Sequence, residues 1–106
     1  MPLRMEERNG DLVCFITGEL DHHNTLTLRE KLDAAVGKTS AHRVVLDLSG
    51  TVFCDSSALG LILGRVRVAK ARGIPLVVAS PSPRVKKILD LCGAEKFLQF
   101  IGREEA

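Results

Sequence analysis

At 106 residues the chain is long enough to build one hydrophobic core and too short for a second module, so it reads as a single domain over 1–106. Its 45% hydrophobic and 26% charged residues are the usage of an ordinary soluble globular domain, which excludes disorder for the bulk of the chain. A net charge of +2 with signs interspersed, no Trp, no Tyr and four Phe offer neither a basic stripe nor a base-stacking platform, which argues against nucleic-acid binding.

Cys14, Cys54 and Cys92 are isolated, odd in number and without C-x-x-C spacing. That pattern fits neither a disulfide framework nor a zinc site and suits a reducing cytoplasm. The polar stretch from Met1 to Gly10 lacks the apolar run of a signal peptide, and no apolar stretch approaches the length of a membrane span. The expectation is a cytoplasmic protein without membrane contact.

In chain order, residues 3 to 8 carry only a weak strand signal. Residues 11 to 17 are a β-prone run ended by Gly18. Residues 24 to 36 read as a helix whose apolar stripe is Leu26, Leu28, Leu32, Ala35 and Val36. Asn24 or Thr25 is its N-cap and Gly37 its C-terminal cap. Arg43 to Leu48 is an apolar, β-branched run of the kind buried on both faces of a sheet. A turn at Ser49-Gly50 leads into the strand-like Thr51-Val52-Phe53-Cys54.

From Ser57 to Arg72 the pattern is helical, with Leu59, Ile62, Leu63, Val66 and Ala69 on one face, Leu61 and Val68 opposite, and Gly73 ending it. Pro75 to Ala79 is a further strand. Ser82-Pro83 opens a third helix with Val85, Ile88, Leu89 and Cys92 on one side, stopped by Gly93. Phe97 to Ile101 is a last short strand. Alternation of strands and helices makes the fold class α/β, with a sheet that is parallel at least in part.

Chemistry concentrates at Asp55-Ser56-Ser57, where a strand delivers the chain to a helix start. Free N–H groups and the helix dipole favour an anion there, so a phosphate on a serine would find a suited place. Asp and Ser before an apolar periodic run are also ordinary N-cap residues, and on the residues alone that is the commoner meaning. Gly60 and Gly64 sit inside the helix at a cost of about 1 kcal/mol each against alanine. Either neighbouring backbone approaches closely, or the bare patch serves a docking partner.

Gly18-Glu19-Leu20-Asp21-His22-His23 invites a metal reading, but adjacent histidines rarely converge on one ion and His42 is the only other histidine. No G-x-S-x-G elbow accompanies the serines, and neither a P-loop nor a G-x-G-x-x-G occurs. A small hydrolase using Ser56 with a histidine is therefore a weak alternative, and no catalytic residue is assigned.

These segments together resemble a known family. Gly18 to His23, the Val-Val-Leu-Asp-Leu strand, Phe53-Cys54-Asp55-Ser56-Ser57-Ala58-Leu59-Gly60, Ile62-Leu63-Gly64-Arg65 and the Ser80 to Lys87 and Leu91-Cys92-Gly93 segments look like an anti-sigma factor antagonist of the STAS domain family. The likeness runs colinearly over about residues 11 to 101. Glu19-Leu20-Asp21-His22-His23 points to the family's sporulation branch.

The resemblance implies a small mixed sheet of four to five strands with helices packed mainly on one side. It implies Ser56 as the phosphorylated residue and a partner-facing surface containing Asp21, His22, His23, Asp55, Ser57, Leu59 and Gly60. The implied partners are an anti-sigma factor that is itself an ATP-binding serine kinase, and a serine phosphatase that resets the switch. No cofactor or metal belongs to the chain itself. The unphosphorylated form would bind the anti-sigma factor and release a sigma factor for transcription; the phosphorylated form would not. A second role within the same fold is an unphosphorylated scaffold in a stressosome-like or transporter-associated assembly. Ala58 departs from the family, which usually has Gly there, and the chain ends at Ala106, short of a C-terminal helix that relatives carry.

Overall fold

The fold is taken from a computed structural model, which describes residues 3–102. Strand β1 (Leu3–Arg8) and strand β2 (Asp11–Ile16) form an antiparallel hairpin in which Arg8 faces Asp11. Asn9 and Gly10, at φ +52° and +85°, make its two-residue turn; positive φ at both positions matches the twist of the flanking strands. The weakly marked first strand is thus real, held by its neighbour rather than by its own alternation.

Strand β3 (Gly18–Leu20) follows at once, then helix α1 (Thr25–Lys38), strand β4 (Arg43–Asp47), strand β5 (Thr51–Cys54) and helix α2 (Ser57–Ala71). Strand β6 (Leu76–Ala79), helix α3 (Pro83–Leu91), a 3₁₀ turn at Ala94–Lys96 and strand β7 (Phe100–Ile101) complete the described chain. The main sheet has five strands in the order β1-β2-β4-β6-β7, parallel except for β1. β3 and β5 pair in parallel as a separate two-stranded sheet, with Leu20 opposite Cys54.

One face of the main sheet carries the larger core. Leu12, Cys14, Ile16, Val44, Leu46 and Val78 meet Leu28, Leu32 and Val36 of α1, Ile62 and Ala69 of α2, and Val85 and Leu89 of α3. On the other face Val13, Val45, Val77 and Ala79 form a small cluster flanked by Phe15 and Ile101, and the Arg4 guanidinium lies 4.2 Å from the Phe15 ring centre. β4 is buried on both faces, as its unbroken apolar run requires. The mixed sheet with helices on one side is the α/β architecture expected from the sequence.

Five local expectations are corrected. Leu26, expected in the apolar stripe of α1, is exposed, since it sits in the helix's first turn away from Leu28 and Leu32. The last strand is Phe100–Ile101 rather than Phe97–Ile101, because the 3₁₀ turn at Ala94–Lys96 delays its pairing with β6. Gly37 lies inside α1, which runs on to Lys38 with Thr39 as its C-cap, because Gly37 has helical φ and an exposed position that tolerates the missing side chain. In α2 the buried residues are Ala58, Leu61, Ile62, Arg65 and Ala69. Leu61 therefore faces the core, while Leu59, Leu63 and Val66 are only half-buried. Apolar residues fall on every side of that helix, so the pattern did not fix its rotation. Cys92 is exposed because α3 ends at Leu91 and the chain turns away at Gly93, whose φ is +90°.

The rotation of α2 places a cation in the core seam between the two long helices. Arg65 is 5% exposed, and its Nε lies 2.8 Å from Asp33 Oδ1 on α1. The pair is within ion-pair distance but outside hydrogen-bond geometry, and Arg65 Nη1 has no hydrogen-bond partner among the described residues. Burial lowers the Arg65 pKa, and the Asp33 charge opposes that shift.

Candidate functional site

The site is assembled by the small sheet. Because β3 and β5 are parallel and in register at Leu20 and Cys54, the chain leaves both strands side by side. The two segments are more than thirty residues apart in sequence, and backbone pairing joins them: the Asp55 N–H donates to the Leu20 carbonyl at 3.3 Å. Asp21-His22-His23 then turns into α1, and Asp55-Ser56 turns into α2.

Asp55 ties the two turns together. Its Oδ1 accepts from the Ser57 N–H at 2.9 Å and from the Ser57 hydroxyl. Its Oδ2 accepts from the His22 N–H at 3.4 Å, with His22 Nδ1 3.8 Å away. The Ser57 hydroxyl holds the Asp55 carboxyl below its ordinary value; burial opposes it, and the Ser57 and His22 N–H groups add to the lowering. Capping of α2 therefore falls to Asp55. Ser56 occupies the N-cap position with helical φ of −63° and makes no side-chain cap bond. Its side chain is exposed, and no described residue hydrogen-bonds its hydroxyl.

The other turn is stiffened from within. Asp21 Oδ1 accepts from the His23 N–H at 3.0 Å, and Asn24 Oδ1 accepts from the Asp21 N–H at 3.1 Å. Asn24 is thus engaged with its own loop and makes no side-chain cap to α1. The exposed rings of His22 and His23 lie with centres 4.0 Å apart. His42, the remaining histidine, sits beside the β1–β2 turn, where its N–H donates to the Gly10 carbonyl at 2.7 Å. Among the described residues no three His, Cys, Asp or Glu side chains are placed to hold a metal.

Asp21, His22, His23, Asp55, Ser56, Ser57, Leu59 and Gly60 are thus gathered around the entrance of α2, with Leu59 half-buried against the core and Gly60 exposed. A Cβ built on Gly60 or Gly64 would meet nothing within 4 Å, which removes close backbone approach as the reason for either glycine. Ala58 is fully buried among core residues, so its methyl anchors the first turn rather than facing the site.

One element escaped sequence reasoning. Thr25, Leu26 and Arg29 of α1 and Ser57, Gly60 and Leu61 of α2 line a cleft of ≈ 200 Å³ between the entrances of the two helices. No motif marks it; only the observed α1–α2 packing brings Arg29 towards Ser57.

Known proteins are similar to the chain in sequence and in fold. The chain is 34% identical over 104 residues to an anti-sigma F factor antagonist of Paenibacillus polymyxa, covering 98% of this chain and 89% of that protein. The anti-sigma factor antagonist SpoIIAA in its unphosphorylated form superposes with a TM-score of 0.80 at 29% identity, covering 97% of this chain and 90% of the other. The phosphorylated form of the Bacillus cell fate determinant SpoIIAA gives 0.70 at 28% identity, covering 97% and 94%. The family model for the STAS domain spans residues 2–106, so a match over nearly the whole sequence joins the shared fold, and the chain belongs to the STAS domain family.

Proposed function

We propose that this chain is an anti-sigma factor antagonist switched by phosphorylation of Ser56. Unphosphorylated, it binds an anti-sigma factor with ATP-dependent serine kinase activity and so releases a sigma factor for transcription, in a sporulation programme. The phosphorylated form does not bind, and a serine phosphatase restores it. The chain supplies the acceptor hydroxyl and the docking surface, performs no catalysis itself, and works in the cytoplasm. No helix among its described residues is long and apolar enough to cross a membrane.

The observation that carries this reading is the division of labour at the entrance of α2. Asp55 does the capping, which leaves the Ser56 hydroxyl exposed and unbonded beside the Asp21–His23 turn. A phosphate there brings about −1.5 to −2 charges, which the helix N-terminus tolerates. The same charge stands beside the Asp55 carboxylate on the face a partner must cover. Relatives named anti-sigma F factor antagonists, and a related SpoIIAA structure in a phosphorylated form, support the assignment.

Incubation with a cognate kinase anti-sigma factor and ATP is expected to add one phosphate, located at Ser56 by mass spectrometry. Labelling that persists in Ser56→Ala would sink the assignment. Ser56→Asp is expected to weaken the complex and Ser56→Ala to keep it. Equal affinity of the two variants in titration calorimetry would overturn the electrostatic mechanism.

A further inference from the structure

We infer that the cleft between the entrances of α1 and α2 is a socket for an acidic side chain of the anti-sigma partner, with Arg29 as its counter-ion. The inference rests on the partner-binding reading above and names the chemistry the partner brings.

Charge complementarity identifies the occupant. Arg29 lines the cleft and is exposed, and no carboxylate among the described residues pairs with it. The acidic residue one turn further along α1, Asp33, stands where it would satisfy an i,i+4 pair, but Arg65 of α2 occupies it at 2.8 Å. The seam therefore holds two guanidinium groups and one carboxylate, close enough for Arg29 to act on the Arg65 charge. Neither α1 nor α2 carries an acidic residue in its first turn; the Asp55 carboxylate caps α2 through Ser57, and none of the residues that line the cleft is acidic. The missing partner is an anion from outside the chain.

Shape points the same way. Gly60 leaves part of the cleft wall without a side chain, although a Cβ would meet nothing within the protein. Leu26 rises at the cleft with 56% of its surface exposed, an apolar lip against which the methylenes of Glu or Asp can pack. Ser57 belongs to the same lining, and the exposed Ser56 directly precedes it in the chain, so we take a phosphate on Ser56 to act on the cleft. That phosphate repels an entering carboxylate and competes for Arg29, which couples the switch to the socket.

The test is titration calorimetry of the wild-type chain, Arg29→Lys, Arg29→Gln, Arg29→Glu and Gly60→Ala against the anti-sigma factor, at three salt concentrations, with thermal melts of each variant. Arg29→Gln is expected to weaken binding about tenfold and Arg29→Glu more, with Arg29→Lys between wild type and Gln. The salt dependence is expected to flatten in Arg29→Gln. Gly60→Ala is expected to melt higher and bind more weakly, which separates fold from docking. Wild-type affinity in Arg29→Gln and Arg29→Glu, with the wild-type complex intact, overturns this inference alone. Loss in Gly60→Ala without loss in Arg29→Gln overturns it in favour of an apolar occupant. A concentration-dependent dimer of the chain that Arg29→Glu dissolves makes the occupant a second copy and overturns it too. A wild-type chain that binds no anti-sigma factor removes the functional reading itself, and this inference with it.

Discussion

At the scale of single residues, Asp55 is the hinge of the site: one carboxylate receives Ser57 and His22 and so fixes two turns distant in sequence. Asp55→Ala is expected to lower stability by about 1 kcal/mol, the ordinary effect of losing a helix cap, read as a lower Tm. Its pH dependence has a definite sign. The folded-state pKa lies below the ordinary 3.8, so the unfolded chain takes up the proton first. The contribution is complete above that value and disappears as pH falls through the depressed one, so Asp55→Asn is expected to flatten the acid limb of stability against pH. The cysteines differ as sharply. Burial pushes the Cys14 thiol up to about 12; burial, then the charge of Asp55, raises Cys54; Cys92 is exposed. In the native protein at pH 8 a colorimetric thiol reagent is expected to react rapidly with one thiol, and Cys92→Ser to abolish that phase.

At the scale of elements, α2 shows what the sequence reveals and what it hides. Its beginning and end were legible from Asp55-Ser56-Ser57 and from Gly73, whose φ of +72° terminates it. Its rotation was not, because Leu59, Leu61, Leu63, Val66 and Val68 satisfy more than one helical stripe. The arginine on the true buried face hid it further, since that choice depends on Asp33 from another helix. Removing that carboxylate leaves Arg65 buried without compensation. Loss of a partner from a fully buried pair costs about 3–5 kcal/mol, and the partial exposure of Asp33 reduces this to about 1–2 kcal/mol. Asp33→Ala is expected to show that loss in urea denaturation, and the double variant with Arg65→Met to recover most of it. Gly64→Ala is expected to gain about 1 kcal/mol by the same measurement, since helix propensity rises and nothing obstructs the methyl.

At the scale of the whole molecule, the order of strands and helices was readable, because each long element carries its own period and punctuation. The site was readable only as two separate motifs. Their meeting depends on β3, three residues long, which no alternation test can recognise; its pairing with β5 is a tertiary fact. From its residues alone Asp21–His23 read as a polar loop, and only the family resemblance put it on the surface of Ser56; the fold sets it against Asp55. The small sheet shares no strand ladder with the main sheet and is tied to it by the Thr51 hydroxyl, which donates to the Ile16 carbonyl at 2.7 Å, so charge added at Ser56 has no main-sheet ladder to break. Phosphorylated and unphosphorylated chains are expected to melt within about 2 °C of each other, a shift worth well under 1 kcal/mol in a domain of this size. Amide shift changes in a ¹⁵N correlation spectrum are expected to cluster in residues 18–26 and 53–62. Shifts spread through β4 and β6 would instead mean that the whole fold rearranges.

The unbonded hydroxyl of Ser56 has a kinetic consequence. Asp55, the carboxylate of its own turn, is committed to Ser57 and His22, so no described group of this chain is poised to take a proton from Ser56. Any phosphoryl transfer to that oxygen must borrow its base from the enzyme that delivers the phosphate. The pH profile of the modification is then a property of the kinase, and the domain can wait beside ATP indefinitely without marking itself.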